Sequence, residues 1–266
     1  MKAKPTHAER LRRIYEQLAS AYGPQHWWPA ETPFEVILGA YLTQNTSWKS
    51  VERSLANLRA AGALTLSGLR SIALEDLKIL IRPTGFHTRK GPALKAFVAM
   101  LDEEFGGSLG LLAAAPTATL RRRLLALPGV GRETADAILL YALNHAIPVA
   151  DEYLRRIAAR HGLLTSSPGR KGYESLASLT LQAFAPDPTA NHARLFNEFH
   201  ALIVAVGKAH CGRTAHCAGC PLAADLDLVL APARQTKKKG RRGPVTDISA
   251  PFQKSPLTNA GPPRYR

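Results

Sequence analysis

The sequence predicts an all-α protein, and three observations lead to this fold class. Apolar residues recur at helical spacing in one segment after another, and residues that start and stop helices flank these segments. No stretch alternates apolar and polar residues in the manner of a β-strand. The 266 residues are 45% hydrophobic, which is enough for a sizeable core and favours about two domains or lobes.

The predicted helices follow one another with short loops. The first begins at Thr32 and Pro33, because threonine is a good N-cap and proline suits the first turn, and it covers 34–42. The second ends on Gly62, and the third stops before Pro83. The predicted ranges after the first helix are 49–62, 74–81, 91–107, 117–127, 132–143, 151–162 and 191–210.

The composition changes at residue 231. From there to residue 266 proline, glycine and basic residues prevail, and such a segment cannot bury enough apolar surface to offset the entropy of ordering it. We therefore predict a disordered basic tail. Of the formal charge of +15, +7 remains on residues 1–230, so the folded part is basic as well. A basic body with a basic tail favours a nucleic-acid partner, although solubility alone also explains such a charge.

The cysteines and the N-terminus bear on compartment and ligands. Cys211, Cys217 and Cys220 lie within ten residues, and such an odd, clustered set favours metal ligation over a disulfide framework. The charged N-terminal segment has no apolar core typical of a signal peptide, and no apolar run approaches the roughly 20 residues of a membrane span. We expect a cytoplasmic, nucleoid-associated monomer with no membrane association.

The segment 127–131, Leu-Pro-Gly-Val-Gly, joins two predicted helices. Gly129 and Gly131 permit positive φ and a close approach of the backbone to a ligand. At Gly131 the next helix begins, so its free N–H groups and its dipole favour a phosphate there. A plain tight turn between helices is the alternative for this motif alone.

Three stretches together resemble a known family. LPGVGRETADAILLYALNHAIPVADEYLRRIAARHG (127–162) resembles the hairpin and the following helices of the helix-hairpin-helix DNA glycosylases of the endonuclease III superfamily. WWPAETPFEVILGAYLTQNTSWKSVERSLANL (27–58) and IRPTGFHTRKG (81–91) resemble the bacterial 3-methyladenine DNA glycosylase branch. The resemblance covers about residues 10–225 and implies a two-lobed fold with a DNA-binding cleft. It assigns a six-helix barrel with the hairpin to 33–148 and a second helical lobe to 1–32 and 149–230.

The resemblance also implies the catalytic residues. Asp151 stands where this superfamily has its catalytic aspartate, although on local sequence it is a good helix N-cap. A carboxylate there would stabilise the positive charge that develops on the sugar and orient the attacking water. Glu133 occupies the place of the lysine of the bifunctional members, and a carboxylate cannot form a Schiff base. We therefore expect a monofunctional glycosylase; Glu133 is also a first-turn acid favoured by the helix dipole.

The remaining site residues are implied by the same resemblance. The base-pocket residues would be Trp27, Trp28, Pro29 and Trp48, although tryptophans are more often core residues. The DNA-binding residues would be Gln44, Gly129, Gly131 and Arg132, with Gln44 filling the gap left by the flipped nucleotide. Arg82, His87, Arg89 and Lys90 flank a turn and could meet phosphates, and solvated surface charge explains them equally well.

The aromatic pocket favours a cationic alkylated purine such as 3-methyladenine, in double-stranded DNA that contains damaged bases. A cation over an indole face gains about 0.5–2 kcal/mol, and the positive charge already weakens the glycosidic bond. A bifunctional glycosylase/lyase for oxidised pyrimidines is the alternative, and a non-catalytic DNA-binding module is a third hypothesis. The presence of Asp151, Gln44 and the pocket tryptophans argues against the non-catalytic module.

The cysteine cluster leaves three outcomes open. Endonuclease III binds a [4Fe–4S] cluster through four cysteines, whereas this chain has Cys211, Cys217 and Cys220, with Leu226 at the expected fourth position. His210, His216 or Asp227 could be a fourth ligand. The pattern favours the [4Fe–4S] cluster over no metal or a zinc site, and a metal would brace the second lobe.

Overall fold

The computed structural model describes residues 5–163, 170–185 and 191–226, and α-helices joined by short loops build these ranges. The extended pairing within them is a single antiparallel bridge between Cys211 and Ala215. The predicted all-α class is confirmed. The predicted tail, 231–266, lies outside the described residues. Among the helices that are described, none combines the length and the apolar character that crossing a membrane requires.

Helix α1 (His7–Tyr22) precedes the first helix that the sequence pattern predicted. Its N-terminus is a capping box, in which the Thr6 hydroxyl accepts the Glu9 N–H and the Glu9 carboxylate accepts the Thr6 N–H. One face of α1 is buried against α11 (Arg170–Phe184) and α12 (His192–Ala209). The fully buried residues of this face are Leu11, Ile14 and Leu18.

The next helices in chain order are α2 (Pro33–Leu42), α3 (Trp48–Ala60), α4 (Leu66–Ser71), α5 (Leu74–Leu80), α6 (His87–Phe105) and α7 (Leu109–Ala114). Four of them lie close to their predicted positions, whereas the short helices α4 and α7 were not predicted. α6 begins four residues before its predicted start at Gly91, because the left-handed conformation of Phe86 turns the chain there. Because of this earlier start, Pro92 lies inside the helix.

The hairpin joins α8 (Thr117–Leu125) to α9 (Arg132–Ala137). The predicted helix over 132–143 is not α-helical throughout, because a π-helical turn replaces the regular pattern at Ile138–Ala142. The Leu143 N–H there bonds the carbonyl of Ile138, five residues back. π-helical turns are rare and are often found at functional sites.

Two sets of helices pack around the site. α2 is buried at every position from Phe34 to Leu42 and contacts α3, α6, α9 and the π-helical turn. α10 (Glu152–Arg160) packs with α11 and α12, and α12 also contacts the π-helical turn. The division of residues 1–230 into two lobes at residue 148 stays a prediction.

Candidate active site

A cavity of about 520 Å³ lies beside the hairpin. Its walls come from the segment before α2, the end of α2, the start of α9, the start of α10 and one face of α12. It brings together both predicted catalytic carboxylates, all three tryptophans, Gln44 and Gly131. Residues that are distant in sequence therefore share one concave site of the size that small ligands occupy.

Asp151 is the N-cap of α10 and lines this cavity. Its Oδ1 accepts the Leu154 N–H at 2.7 Å, and the residue is only 7% exposed. Its second oxygen, Oδ2, lies 3.6 Å from Nε2 of His200 on α12. The N-cap and the cavity position are thus compatible, because each uses a different carboxylate oxygen.

Glu133 lies in the first turn of α9 and also lines the cavity. The Glu133 side chain is exposed at the cavity surface, but many protein atoms surround its carboxyl and partly desolvate it. This desolvation, together with the negative charge of Asp151, raises the pKa of Glu133 to about 7, against the opposing effect of His200. Near neutral pH the Glu133 carboxyl therefore exists in both protonation states.

The three tryptophans form one aromatic cluster in the cavity wall. The Trp27 and Trp28 ring centroids lie 5.6 Å apart, and Trp48 lies 5.7 Å from Trp27 and 5.4 Å from Trp28. Trp28 also contacts the ring of Tyr141 at 5.2 Å. All three tryptophans are partly buried and keep surface that faces the cavity.

Pro29 does not join this cluster, contrary to the expectation that it lines the base pocket. It is exposed and is not part of the cavity lining. The physical reason is a three-residue turn, in which the Ala30 N–H bonds the Trp28 carbonyl at 3.0 Å. Pro29 lies at the apex of this turn.

Gln44 connects the end of α2 to the hairpin. Its side-chain amide donates to the Gly129 carbonyl and to the Thr134 hydroxyl, each at 3.0 Å. Gly129 has φ +73°, as expected, whereas Gly131 is extended with φ −88° and is the N-cap of α9. A Cβ at Gly131 would meet no atom within 4 Å, so the surface there is open to an approaching ligand.

Lys90 does not face a phosphate, contrary to its expected role. It is 5% exposed, and its ammonium donates to the carbonyls of Leu42, Gln44 and Thr84 at 2.9–3.0 Å. These bonds use all three donors, and burial lowers the pKa of Lys90 to about 8. Lys90 instead holds the loop that carries Gln44. Arg132 is also engaged, since its Nε donates to the Glu174 carboxylate at 2.8 Å.

Four residues that the sequence analysis did not select belong to this region. His200, Tyr141 and Lys208 come from α12 and the π-helical turn, and the Lys208 ammonium lies 5.6 Å from the Trp27 ring centroid. Phe86 is 57% exposed beside Gln44 and Gly129. An aromatic residue next to a glycine in the segment 81–91 was the available sequence signal for Phe86.

The three cysteines do not fit a four-thiolate cluster. Cys211 is buried, Cys220 is half-buried and Cys217 is exposed. Within the described ranges no three histidine, cysteine, aspartate or glutamate side chains are arranged to hold a metal ion, and Leu226 supplies no ligand. Asp227, another suggested ligand, lies outside those ranges. The predicted cofactor is therefore not confirmed.

Comparisons with known proteins point to one superfamily. The sequence model of the HhH-GPD superfamily of base excision DNA repair proteins matches residues 38–181. A putative DNA repair glycosylase of Methanocaldococcus jannaschii is 38% identical over 220 residues, which are 82% of this chain and 96% of the relative.

Two solved structures resemble the fold over most of its length. A 3-methyladenine DNA glycosylase of H. pylori, solved with 1,N6-ethenoadenine bound, superposes with a TM-score of 0.65 at 28% identity, covering 77% of this chain and 98% of that one. An endonuclease III in a non-covalent DNA complex superposes with a TM-score of 0.66, covering 88% of this chain and 100% of that one. Its identity of 20% makes this a likeness of fold.

Proposed function

The chain belongs to the HhH-GPD superfamily of base excision repair DNA glycosylases, hydrolases of N-glycosyl bonds, and we propose that it is a monofunctional enzyme for alkylated purines such as 3-methyladenine. The observation that carries this proposal is the cavity itself. It combines a buried carboxylate, Asp151, with an aromatic wall, and it contains Glu133, at the position that the family resemblance assigns to the Schiff-base lysine of bifunctional members. The H. pylori relative, solved with a modified adenine, supports a purine substrate.

The charge of the cavity supports a cationic base. Glu133, Asp151 and Glu152 line it, against Lys208 as its single lysine or arginine among the described residues, although the whole chain carries +15. A positively charged purine gains from these carboxylates and from the indole faces, the latter by about 0.5–2 kcal/mol. A neutral oxidised pyrimidine gains neither charge term.

The proposed reaction is a hydrolysis. The bond between the sugar C1′ and the purine nitrogen breaks, and its electron pair stays with the base, which neutralises the cationic ring. Asp151 stabilises the positive charge left on the sugar. Water then adds its oxygen to C1′, and its proton passes to a cavity carboxylate and on to solvent. No step uses the cysteines.

DNA binding is assigned to the rim of the cavity. The open backbone at Gly131 and the start of α9 would receive a phosphate. Gln44 and the exposed Phe86 flank the Gly129 turn and would contact the nucleotides next to the flipped one. The partner we propose is double-stranded DNA with damaged bases, bound by a monomer at the nucleoid.

A bifunctional lyase is the second candidate, and Lys208 is the observation that favours it. Its amine is the one lysine amine at the cavity among the described residues, and a deprotonated amine could attack C1′. Borohydride treatment during turnover separates the two candidates. We expect no covalent protein–DNA adduct; an adduct in high yield that disappears in Lys208→Gln would establish the lyase instead.

The decisive experiment is a panel of lesion-bearing duplexes assayed with and without alkali. The panel includes 3-methyladenine, 7-methylguanine, 1,N6-ethenoadenine and thymine glycol. We expect release of the alkylated purines and strand breaks only after alkali. Excision of thymine glycol with none of 3-methyladenine, or strand breaks without alkali, would overturn the proposal.

A further inference from the structure

Only one of the two carboxylate oxygens of Asp151 is held by a hydrogen bond from its own helix, α10. Oδ1 is held by the Leu154 N–H at 2.7 Å. No hydrogen bond to Oδ2 is present among the described residues, and the polar side-chain atom that faces it is Nε2 of His200 at 3.6 Å. This nitrogen is buried and has no hydrogen-bond partner within that part of the chain. His200 itself is 8% exposed.

The other nitrogen of His200 decides where the ring proton lies. Nδ1 lies 2.5 Å from the hydroxyl of Tyr141. Burial, with the negative charges of Asp151 and Glu198, raises the pKa of Tyr141 well above its usual value, so the hydroxyl keeps its proton. The Tyr141 hydroxyl has no other hydrogen-bond partner among the described residues, so its O–H donates to Nδ1, and Nε2 then carries the ring N–H. That N–H points towards Oδ2 of Asp151.

The packing of the helices keeps these groups together. α12 approaches α10 so closely that a Cβ on Gly207 would lie 2.2 Å from the Tyr153 ring. Tyr141 stands on the π-helical turn, and its ring contacts Trp28 at 5.2 Å. One chain of contacts therefore runs from the aromatic wall through Tyr141 and His200 to Asp151.

We infer that His200 is a positioning residue that orients Oδ2 of Asp151 through its Nε2–H, and that Tyr141 holds the proton on that nitrogen. The inference rests on the proposed role of Asp151 in excision. The distance of 3.6 Å exceeds a hydrogen bond, so the inference requires the two groups to approach when substrate binds, as catalytic hydrogen bonds often do. His200 touches neither the base nor the sugar in this scheme.

The test compares His200→Ala, His200→Gln and Tyr141→Phe with the wild type and Asp151→Asn. The first readout is the single-turnover release of 3-methyladenine from a methylated duplex. The second is affinity for two abasic duplexes, one with a cationic pyrrolidine ring and one with a neutral tetrahydrofuran ring. The pyrrolidine carries the positive charge that the sugar would develop in the reaction. The ratio of the pyrrolidine affinity to the tetrahydrofuran affinity therefore measures how strongly the Asp151 carboxylate stabilises that charge, and no base contributes to it.

We expect His200→Ala to lose about 10- to 100-fold in rate and most of the preference for the pyrrolidine duplex, because a hydrogen bond to a charged group is lost. Tetrahydrofuran affinity and melting temperature serve as folding controls and should stay near wild type. His200→Gln should recover most of the rate, since its amide N–H can donate from the place of Nε2. Tyr141→Phe should lose less than His200→Ala, because the ring stays but its tautomer is no longer held.

The outcomes separate this inference from the proposed function. A wild-type rate and wild-type pyrrolidine preference in His200→Ala, with Asp151→Asn inactive, would overturn the positioning role alone. Equal losses in His200→Ala and His200→Gln would also overturn it, because mere packing would then explain both. Full activity of Asp151→Asn would instead refute the assignment of Asp151 on which the inference rests.

Discussion

Replacement of Asp151 with asparagine removes one negative charge from the cavity and keeps the shape of the side chain. The asparagine oxygen can still accept the Leu154 N–H, which is now bonded at 2.7 Å, and asparagine is as good an N-cap as aspartate. We therefore expect the free energy of unfolding to change by less than about 1 kcal/mol. The substitution therefore tests the negative charge of Asp151 separately from its role as the N-cap of α10.

The size of the effect on excision follows from Coulomb's law. A carboxylate about 4 Å from the positive sugar contributes about 4 kcal/mol at the effective dielectric constant of about 20 that suits a site as enclosed as Asp151. Since about 1.4 kcal/mol is a factor of ten, the single-turnover rate should fall about 10³-fold. Affinity for undamaged duplex DNA should stay within about threefold, because the hairpin and Gln44 are unchanged.

The assay is single-turnover release of 3-methyladenine at saturating protein, with thermal melting and DNA binding measured on the same samples. Asp151→Ala is the matched control, because it loses both the charge and the cap and should also lose about 1 kcal/mol of stability. Excision by Asp151→Asn within tenfold of the wild type would refute the electrostatic role of this residue. A rate loss matched by a stability loss as large as that of Asp151→Ala would refute the separation of charge from cap.

Three further predictions concern pH, the cysteine segment and the tail. The pKa of Glu133 is raised to about 7, so its carboxylate form grows as the pH passes that value. Single-turnover excision of a cationic base should rise over this range, and a pH profile of Glu133→Gln that keeps the rise would contradict this. Asp225 is 5% exposed and binds Arg10 at 2.6 Å and His161 at 2.8 Å, so Asp225→Asn should cost about 3–5 kcal/mol in urea unfolding. Arg160 donates to the carbonyls of Gly212 and Arg213 next to Cys211, so hydrogen bonds hold the cysteine segment. We therefore expect a chelator to leave the melting temperature unchanged, and a large fall on chelation would show that metal supports this segment. Deletion of 231–266 should weaken salt-dependent DNA binding and leave single-turnover excision at saturating protein intact; loss of excision there would reveal another role of this segment.

Features that are local in sequence were predictable. The N-cap at Thr32 and the helix-ending glycine at Gly62 each depend only on neighbouring residues. The structure has both where the sequence predicted them. The hairpin with Gly129, and Asp151 at the start of α10, were recognised from one continuous stretch. The backbone conformation of such a motif depends on its own residues, so the motif can be recognised from the sequence before the fold is known.

Features that depend on packing were not predictable. Lys90 was interpreted as a surface cation, but α6 carries its ammonium under three carbonyls of other segments. Pro29 was placed with its tryptophan neighbours, but a tight turn takes it out of the cavity. The spacing of the cysteines could not tell how deeply each is buried or whether a fourth ligand stands near.

The sequence by itself predicted the all-α class, the superfamily and the two candidate catalytic carboxylates, because helical periodicity and continuous motifs carry this information. Only the tertiary structure decided the environment of those carboxylates. His200 and its partner Tyr141 are 59 residues apart, and no local pattern relates either of them to Asp151. They meet because α12 packs against α10 and the π-helical turn, and burial there raises the pKa of both Tyr141 and Glu133.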